Sequence, residues 1–100
     1  MYERKLILGF VRIHILHHAT SPEGTYGLWM IQELKHHGYQ ISPGTIYPIL
    51  ADMESAGLLS SNEEKSGGSI RKVYRATQSG RSVLESLKSK VEELYKELNE

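Results

Sequence analysis

The last quarter of this chain carries an apolar stripe that its own helix cannot cover. From Thr77 onward, Leu84, Leu87, Val91, Leu94 and Leu98 follow a three, four, three, four spacing, the a/d seam of a helix that requires another helix against it. The seam spans just over two heptads, too few for a free-standing coiled coil, so the rest of the domain or a second chain has to bury it. With 100 residues the sequence suits one small domain, marginal as a monomer, whose core association would enlarge.

The remaining elements follow from periodicity and punctuation. Residues 3–18 place Leu6, Ile7, Phe10, Val11, Ile13 and Leu16 at helical spacing, with an apolar face wide enough for burial on two sides. Pro22 and Gly24 mark the loop that ends this helix. Thr25 is the expected N-cap of a second helix over about 26–37, with Leu28, Trp29, Ile31 and Leu34 on its apolar side and Gly38 as its C′ residue. Trp29 is expected in the core. Ser42-Pro43 opens a third helix that carries Ile46, Ile49, Leu50, Met53 and Ala56 and closes at Gly57. Pro48 lies after its first turn and predicts irregularity there, because it removes an amide donor. Two short strands, 58–61 and 70–76, flank a flexible tip centred on Ser66-Gly67-Gly68-Ser69, with Glu63 and Glu64 solvated on that loop. The expected fold is mainly α with a small β-hairpin.

Composition narrows the chemistry. Twelve Lys and Arg balance twelve Asp and Glu, which excludes a uniformly basic carpet but leaves room for a local basic patch. The chain has no cysteine, so disulfides, thiolate zinc sites and thiolate catalysis are excluded. No P-loop, dinucleotide glycine fingerprint or nucleophile elbow is present, and the chain reads as a non-enzyme with no cofactor. The apolar run 6–11 is broken by Arg12, too short for a membrane span and without a small-residue cleavage site, so a cytoplasmic location without membrane contact is expected.

Helix, helix, tight turn, helix, hairpin, helix is the order of a winged helix-turn-helix, which lays its third helix in a DNA major groove. The opening of that helix offers small and polar groups at Ser42, Gly44, Thr45 and Tyr47, where phosphates and base edges would be met. The hairpin adds Lys65, Arg71 and Lys72 beside its tip, and residues 63–75 hold four cations against two acids. Such clusters also serve solubility alone.

Tyr26-Gly27-Leu28-Trp29, then residues 42–50 with Gly-Thr-Ile-Tyr-Pro at 44–48, then Glu54-Ser55-Ala56-Gly57-Leu58-Leu59, and finally Arg71 to Thr77 with Gly80, together resemble the PadR-like transcriptional regulators over nearly the whole chain. The resemblance implies tolerance of Pro48 in the recognition helix. It implies a winged helix-turn-helix over residues 1–76 and a dimerisation helix over 77–100 that packs with the first helix in one folding unit. It further implies a homodimer that binds double-stranded DNA at an inverted repeat and usually represses. Its DNA contacts would be Ser42, Gly44, Thr45, Tyr47 and Pro48 with Lys65, Arg71 and Lys72 of the wing. Its dimerisation surface would be Leu84, Leu87, Val91, Leu94, Leu98 and Phe10. In some members a small hydrophobic or aromatic effector sits between subunits, which places Tyr2 and Tyr95 with Phe10 and Leu94 as candidate wall residues. The single C-terminal helix matches the compact branch of the family. The Ser-Gly-Gly-Ser wing tip is less basic than in many relatives.

Two further features invite weighing. His14 and His18 share one helical face and are the candidates for a metal pair, against polar or interface packing as the expected role. His36 and His37 end the second helix, where imidazolium suits the dipole. The competing functional class is a winged-helix protein-interaction module without specific DNA binding, which net neutrality allows.

Overall fold

In the computed structural model, residues 2–100 are described. The elements run α1 (Tyr2–His18), α2 (Gly27–His36), α3 (Pro43–Ser55), β1 (Leu59–Ser66), β2 (Ser69–Ala76) and α4 (Gln78–Leu98). The architecture is mainly α with one antiparallel hairpin, as the order of periodicities leads one to expect.

Helix α1 is the spine of the core. Val11, Ile15, Leu16 and Ala19 are buried, and they join Met30 and Leu34 of α2, Ile46, Ile49, Leu50 and Met53 of α3, and Leu84 of α4 in a single apolar cluster. The apolar face of α1 therefore has two sides, one for the α2–α3 pair and one for α4.

Helix ends follow their capping residues with one exception. Ser42 is the N-cap of α3 and Pro43 its first residue, but the Ser42 Oγ donates to Thr45 Oγ1 at 3.4 Å and accepts no backbone amide. Pro48 is accommodated inside α3, which stays α-helical from Pro43 to Ser55. The irregularity expected at its start is confined to the Thr45 amide, which bonds the Ser42 carbonyl one residue short of the α spacing. Thr77 caps α4 by accepting the Gly80 amide at 3.0 Å. The exception is Thr25. Tyr26 is the N-cap of α2, and Thr25 instead forms a bridge with Tyr74, exchanging bonds of 2.9 and 2.7 Å. A third backbone segment thus flanks β2, and pairing with it overrides the local capping preference.

The hairpin is longer than its sequence pattern suggests. Residues 62–65 continue β1, Glu63 pairs with Lys72 and Glu64 with Arg71, and Ser66 closes on Ser69. Gly67 alone of the two turn residues is at positive φ, at 62°, the arrangement of a type II′ turn. Glu63 and Glu64 are strand residues rather than part of a solvated tip.

Helix α4 is anchored at its first turn. The Thr77 amide bonds the Leu58 carbonyl at 3.0 Å, its hydroxyl bonds the Gly57 carbonyl at 2.6 Å, and a Cβ on Gly80 would collide with the Leu58 carbonyl oxygen. Beyond Leu84 the helix leaves the body of the domain. Leu87 is half-buried, while Val91, Leu94, Tyr95 and Leu98 are exposed, as are Phe10, Leu6 and Tyr2 on α1.

Gly80→Ala should destabilise the chain by about 2 kcal/mol or more, because the added methyl meets rigid backbone. Helix propensity alone favours alanine by about 1 kcal/mol, so the two arguments oppose each other in sign. Urea unfolding of the variant decides between them.

Candidate nucleic-acid interface

The opening of α3 and the wing meet on one side of the molecule. Ser42, Gly44, Tyr47 and Pro48 are exposed and Thr45 is half-buried. A groove of about 360 Å³ lies between them and the hairpin, lined by Tyr47 from α3, Tyr26 to Leu28 from the start of α2, and Ser69 to Lys72 from β2. Three of the eight expected contact residues line this groove, Tyr47, Arg71 and Lys72, and four more, Ser42, Gly44, Thr45 and Pro48, belong to the same opening of α3. Lys65 does not border this groove. It lies at a second cleft, between the hairpin and the loop before α2, which it shares with Arg71.

The cations of the wing are not equivalent. Arg75 is engaged: its Nη1 lies 2.6 Å from Glu64 Oε2, and its guanidinium also donates to Asn62 and to the carbonyls of Pro22 and Glu23. That contact holds the Glu64 carboxyl below its ordinary range. Arg71 instead stacks on the Tyr26 ring, 4.1 Å from its centroid, and Lys72 lies 5.9 Å from the ring of Tyr74. Among the described residues, Lys65, Arg71 and Lys72 have no acid within ion-pair distance. They are the wing charges available to a phosphate.

Two residues with a part in this surface carry no local signal in the sequence. Arg4, near the start of α1, donates from Nη2 to Thr45 Oγ1 at 3.2 Å and so adds a cation at the mouth of α3. Only the tertiary approach of α1 to α3 brings it there. Gly27 lies under Tyr47, and a Cβ at that position would strike the ring. The Tyr47 side chain, 43% exposed, is thus seated on α2 as well as offered to a ligand. The Tyr26-Gly27 pair was visible in the sequence, but its partner across the turn was not.

The histidines form a separate cluster between α1 and α2. His37 Nε2 lies 3.0 Å and His18 Nε2 3.5 Å from the same Glu33 oxygen, and the His14 ring stacks on His37 at 5.0 Å with Tyr39 edge-on to it. The rings of His14 and His18 are 6.4 Å apart and nearly parallel. Among the described residues no group of three or more His, Asp or Glu side chains is placed to hold a metal ion. Trp29 stands edge-on to His18 at 5.0 Å and is 39% exposed, so it is a boundary residue and not part of the core.

Comparison with known proteins agrees with this geometry. The model of the transcriptional regulator PadR-like family matches residues 15–86. The chain belongs to the PadR-like family. It is 49% identical over 88 residues, 88% of this chain and 81% of the relative, to the transcriptional regulator Rv3488 of Mycobacterium tuberculosis. Among solved structures, a PadR-like transcriptional regulator from Bacillus cereus superposes with a TM-score of 0.84 at 30% identity, covering 95% of this chain and 93% of that one. A PadR family regulator from Eggerthella lenta gives 0.80 at 30% identity, over 98% and 86%. Membership makes the chain a winged-helix transcriptional regulator. No helix among the described residues is long and apolar enough to cross a membrane.

The histidine cluster sets a pH dependence for this PadR-like fold. Desolvation first, then neighbouring imidazoles, hold His14 and His18 below the ordinary 6.5, and the opposing pull of Glu33 is weaker. The folded chain therefore keeps these rings neutral while the unfolded chain protonates first. Their stabilisation is complete above about 6.5 and is lost as pH falls through the folded values. Glu33, held below its ordinary 4.5 chiefly by the His37 hydrogen bond, loses its share only at more acid pH. Tm should fall between pH 7.5 and 5.5, and His14→Phe should flatten that fall. A Tm level across the range in the unaltered chain would contradict burial of neutral imidazoles.

Proposed function

We propose that this PadR-like regulator acts as a cytoplasmic homodimer that binds double-stranded DNA at an inverted repeat, and that it represses. The observation that carries the proposal is the shared groove in which Tyr47 of α3 faces Arg71 and Lys72 of β2. Residues 1–76 form the DNA-binding part and 77–100 the dimerisation helix of the same folding unit. Ser42, Gly44, Thr45, Tyr47 and Pro48 enter the major groove, and the wing cations hold flanking phosphates. Two-fold pairing through the exposed stripe Val91, Leu94, Leu98 with Phe10 covers apolar surface that the single chain leaves in water. A groove of about 400 Å³ between α1 and α4, lined by Ile13, Leu84, Leu87, Val91 and Tyr95, lies along this seam and suits a small hydrophobic or aromatic effector between subunits.

Mobility-shift titration against the DNA upstream of the chain's own gene tests the reading. Competitor-resistant binding is expected, steep in salt, with Lys65, Arg71 and Lys72 of both subunits giving a slope of log K against log salt of about −5. Arg71→Ala with Lys72→Ala should weaken every sequence and reduce that slope by about 3 to 4. Thr45→Ala and Tyr47→Ala should instead alter operator preference, by about 1–3 kcal/mol at the affected base. Wild-type binding by all of these variants would remove the assigned interface. Absence of any DNA retention would favour the protein-interaction reading.

Leu94→Asp checks the dimer. Sedimentation should show a shift from dimer to monomer with little change in helix content, since Leu94 is exposed and lies outside the core cluster. An unaltered dimer would place the two-fold elsewhere.

A further inference from the structure

The hydroxyl of Thr45, third residue of α3, is half committed within its own chain. A threonine hydroxyl has one proton to donate and two lone pairs with which to accept. Arg4 Nη2 donates to Thr45 Oγ1 at 3.2 Å and Ser42 Oγ donates to it at 3.4 Å, so both lone pairs are taken. A threonine inside a helix often spends its proton on a carbonyl one turn back. Among the described residues the Thr45 hydroxyl donates to no such group, and the Ser42 carbonyl accepts the amides of Thr45 and Ile46 instead. What remains for a ligand is the proton.

Arg4 is the partner that fixes this polarity, since a guanidinium donates and never accepts. It reaches α3 from the first turn of α1, 41 residues away in sequence. It also precedes the stretch 15–86 that the PadR-like model covers, so the contact is no part of that shared pattern. Among the described residues no carboxylate lies within ion-pair distance of Arg4, its neighbour Glu3 included, and no acid draws the guanidinium away from Thr45. Accepting from a cation polarises the Thr45 O–H bond and strengthens it as a donor toward the outside.

We propose that Arg4 is a positioning residue for operator recognition, which holds Thr45 as a donor-only probe of the major groove. Guanine presents two acceptors there and thymine one, whereas cytosine presents an amino group. A hydroxyl whose lone pairs are filled can bond the first two bases and meets a second donor at the third. Thr45 therefore selects G or T over C at the base it faces, and a residue of α1 sets that choice. The inference rests on the DNA-binding reading of the preceding subsection, to which it adds the polarity of one contact and its cause.

The test is a binding selection from a randomised duplex library with the full chain and with Thr45→Val, which locates the base that Thr45 faces as the position where the variant loses preference. Mobility-shift titration then compares the selected site with G, T or C at that position. The unaltered chain should favour G or T over C by about fivefold, and Arg4→Met should cut this to under about twofold. In the Thr45→Val background Arg4→Met should change the preference no further, as expected of a residue that acts through another. A preference for C would overturn the proposal, as would losses that add in the double variant or a Thr45→Val selection identical to that of the unaltered chain. So would an Arg4→Met variant that keeps the preference while every sequence weakens alike and the salt slope falls by about 2, because Arg4 would then be a phosphate contact. An unaltered chain that enriches no sequence refutes the DNA reading and this inference with it. One that enriches a site at which the two losses add refutes the role of Arg4 alone.

Discussion

Helix α1 has two neighbours to satisfy at once, and the placement of every other element follows from that. Val11, Ile15 and Leu16 are buried together with residues of α2, α3 and α4, and the Ala19 carbonyl that follows the helix accepts the Ala76 amide at the end of the hairpin. A close-packed interior passes displacement on rather than absorbing it. The same helix presents Arg4 to Thr45 at one end, His14 and His18 to α2 along its middle, and Ile13 and His17 to the groove against α4. It is therefore the one element in contact with α3, the histidine cluster and the apolar seam.

Close backbone approach fixes what side-chain packing leaves free. Gly27 lets α2 run beneath Tyr47, and Gly80 lets α4 start against the Leu58 carbonyl. The first sets where the Tyr47 ring stands, and the second sets where the long helix leaves the domain. Neither position tolerates a methyl group without moving its neighbour, so both are fixed by geometry rather than by hydrophobicity. The seam on α4 is aimed by contacts at the other end of that helix.

The helices were legible because each has apolar residues at 3.6-residue spacing and ends in a residue with its own reason to stop it, such as Gly38 and Gly57, both at positive φ. The first strand was only half legible. Asn62 to Lys65 has no apolar alternation, and it is a strand because Val73, Lys72, Arg71 and Ile70 pair with it residue for residue. Thr25 was misplaced because its local preference was overridden by a partner distant in sequence, Tyr74, and Trp29 stands at the boundary, edge-on to His18 of α1. Arg4 lay beyond reach altogether: nothing within its own helix distinguishes it from Lys5, and its role exists only across 41 residues of chain. In the interface, the exposed opening of α3 could be read from sequence order alone. The separation of Lys65 from the groove that Arg71 and Lys72 border could not, since it depends on which side of the hairpin each residue faces.

A formal charge of zero does not weaken the case for a nucleic-acid partner, because the charges are sorted in space. The acids with recorded contacts are engaged locally: Glu64 with Arg75, Glu33 with its histidines, and Glu85 and Glu92 with Lys88 and Lys96 along α4. What those pairings leave over at the wing is positive. At physiological salt a charge is felt over about 8 Å, so a phosphate at the wing responds mainly to the charges of the wing itself, Lys65, Arg71 and Lys72 against Glu63. The neutral total then limits long-range attraction to any polyanion and leaves contact-range attraction intact.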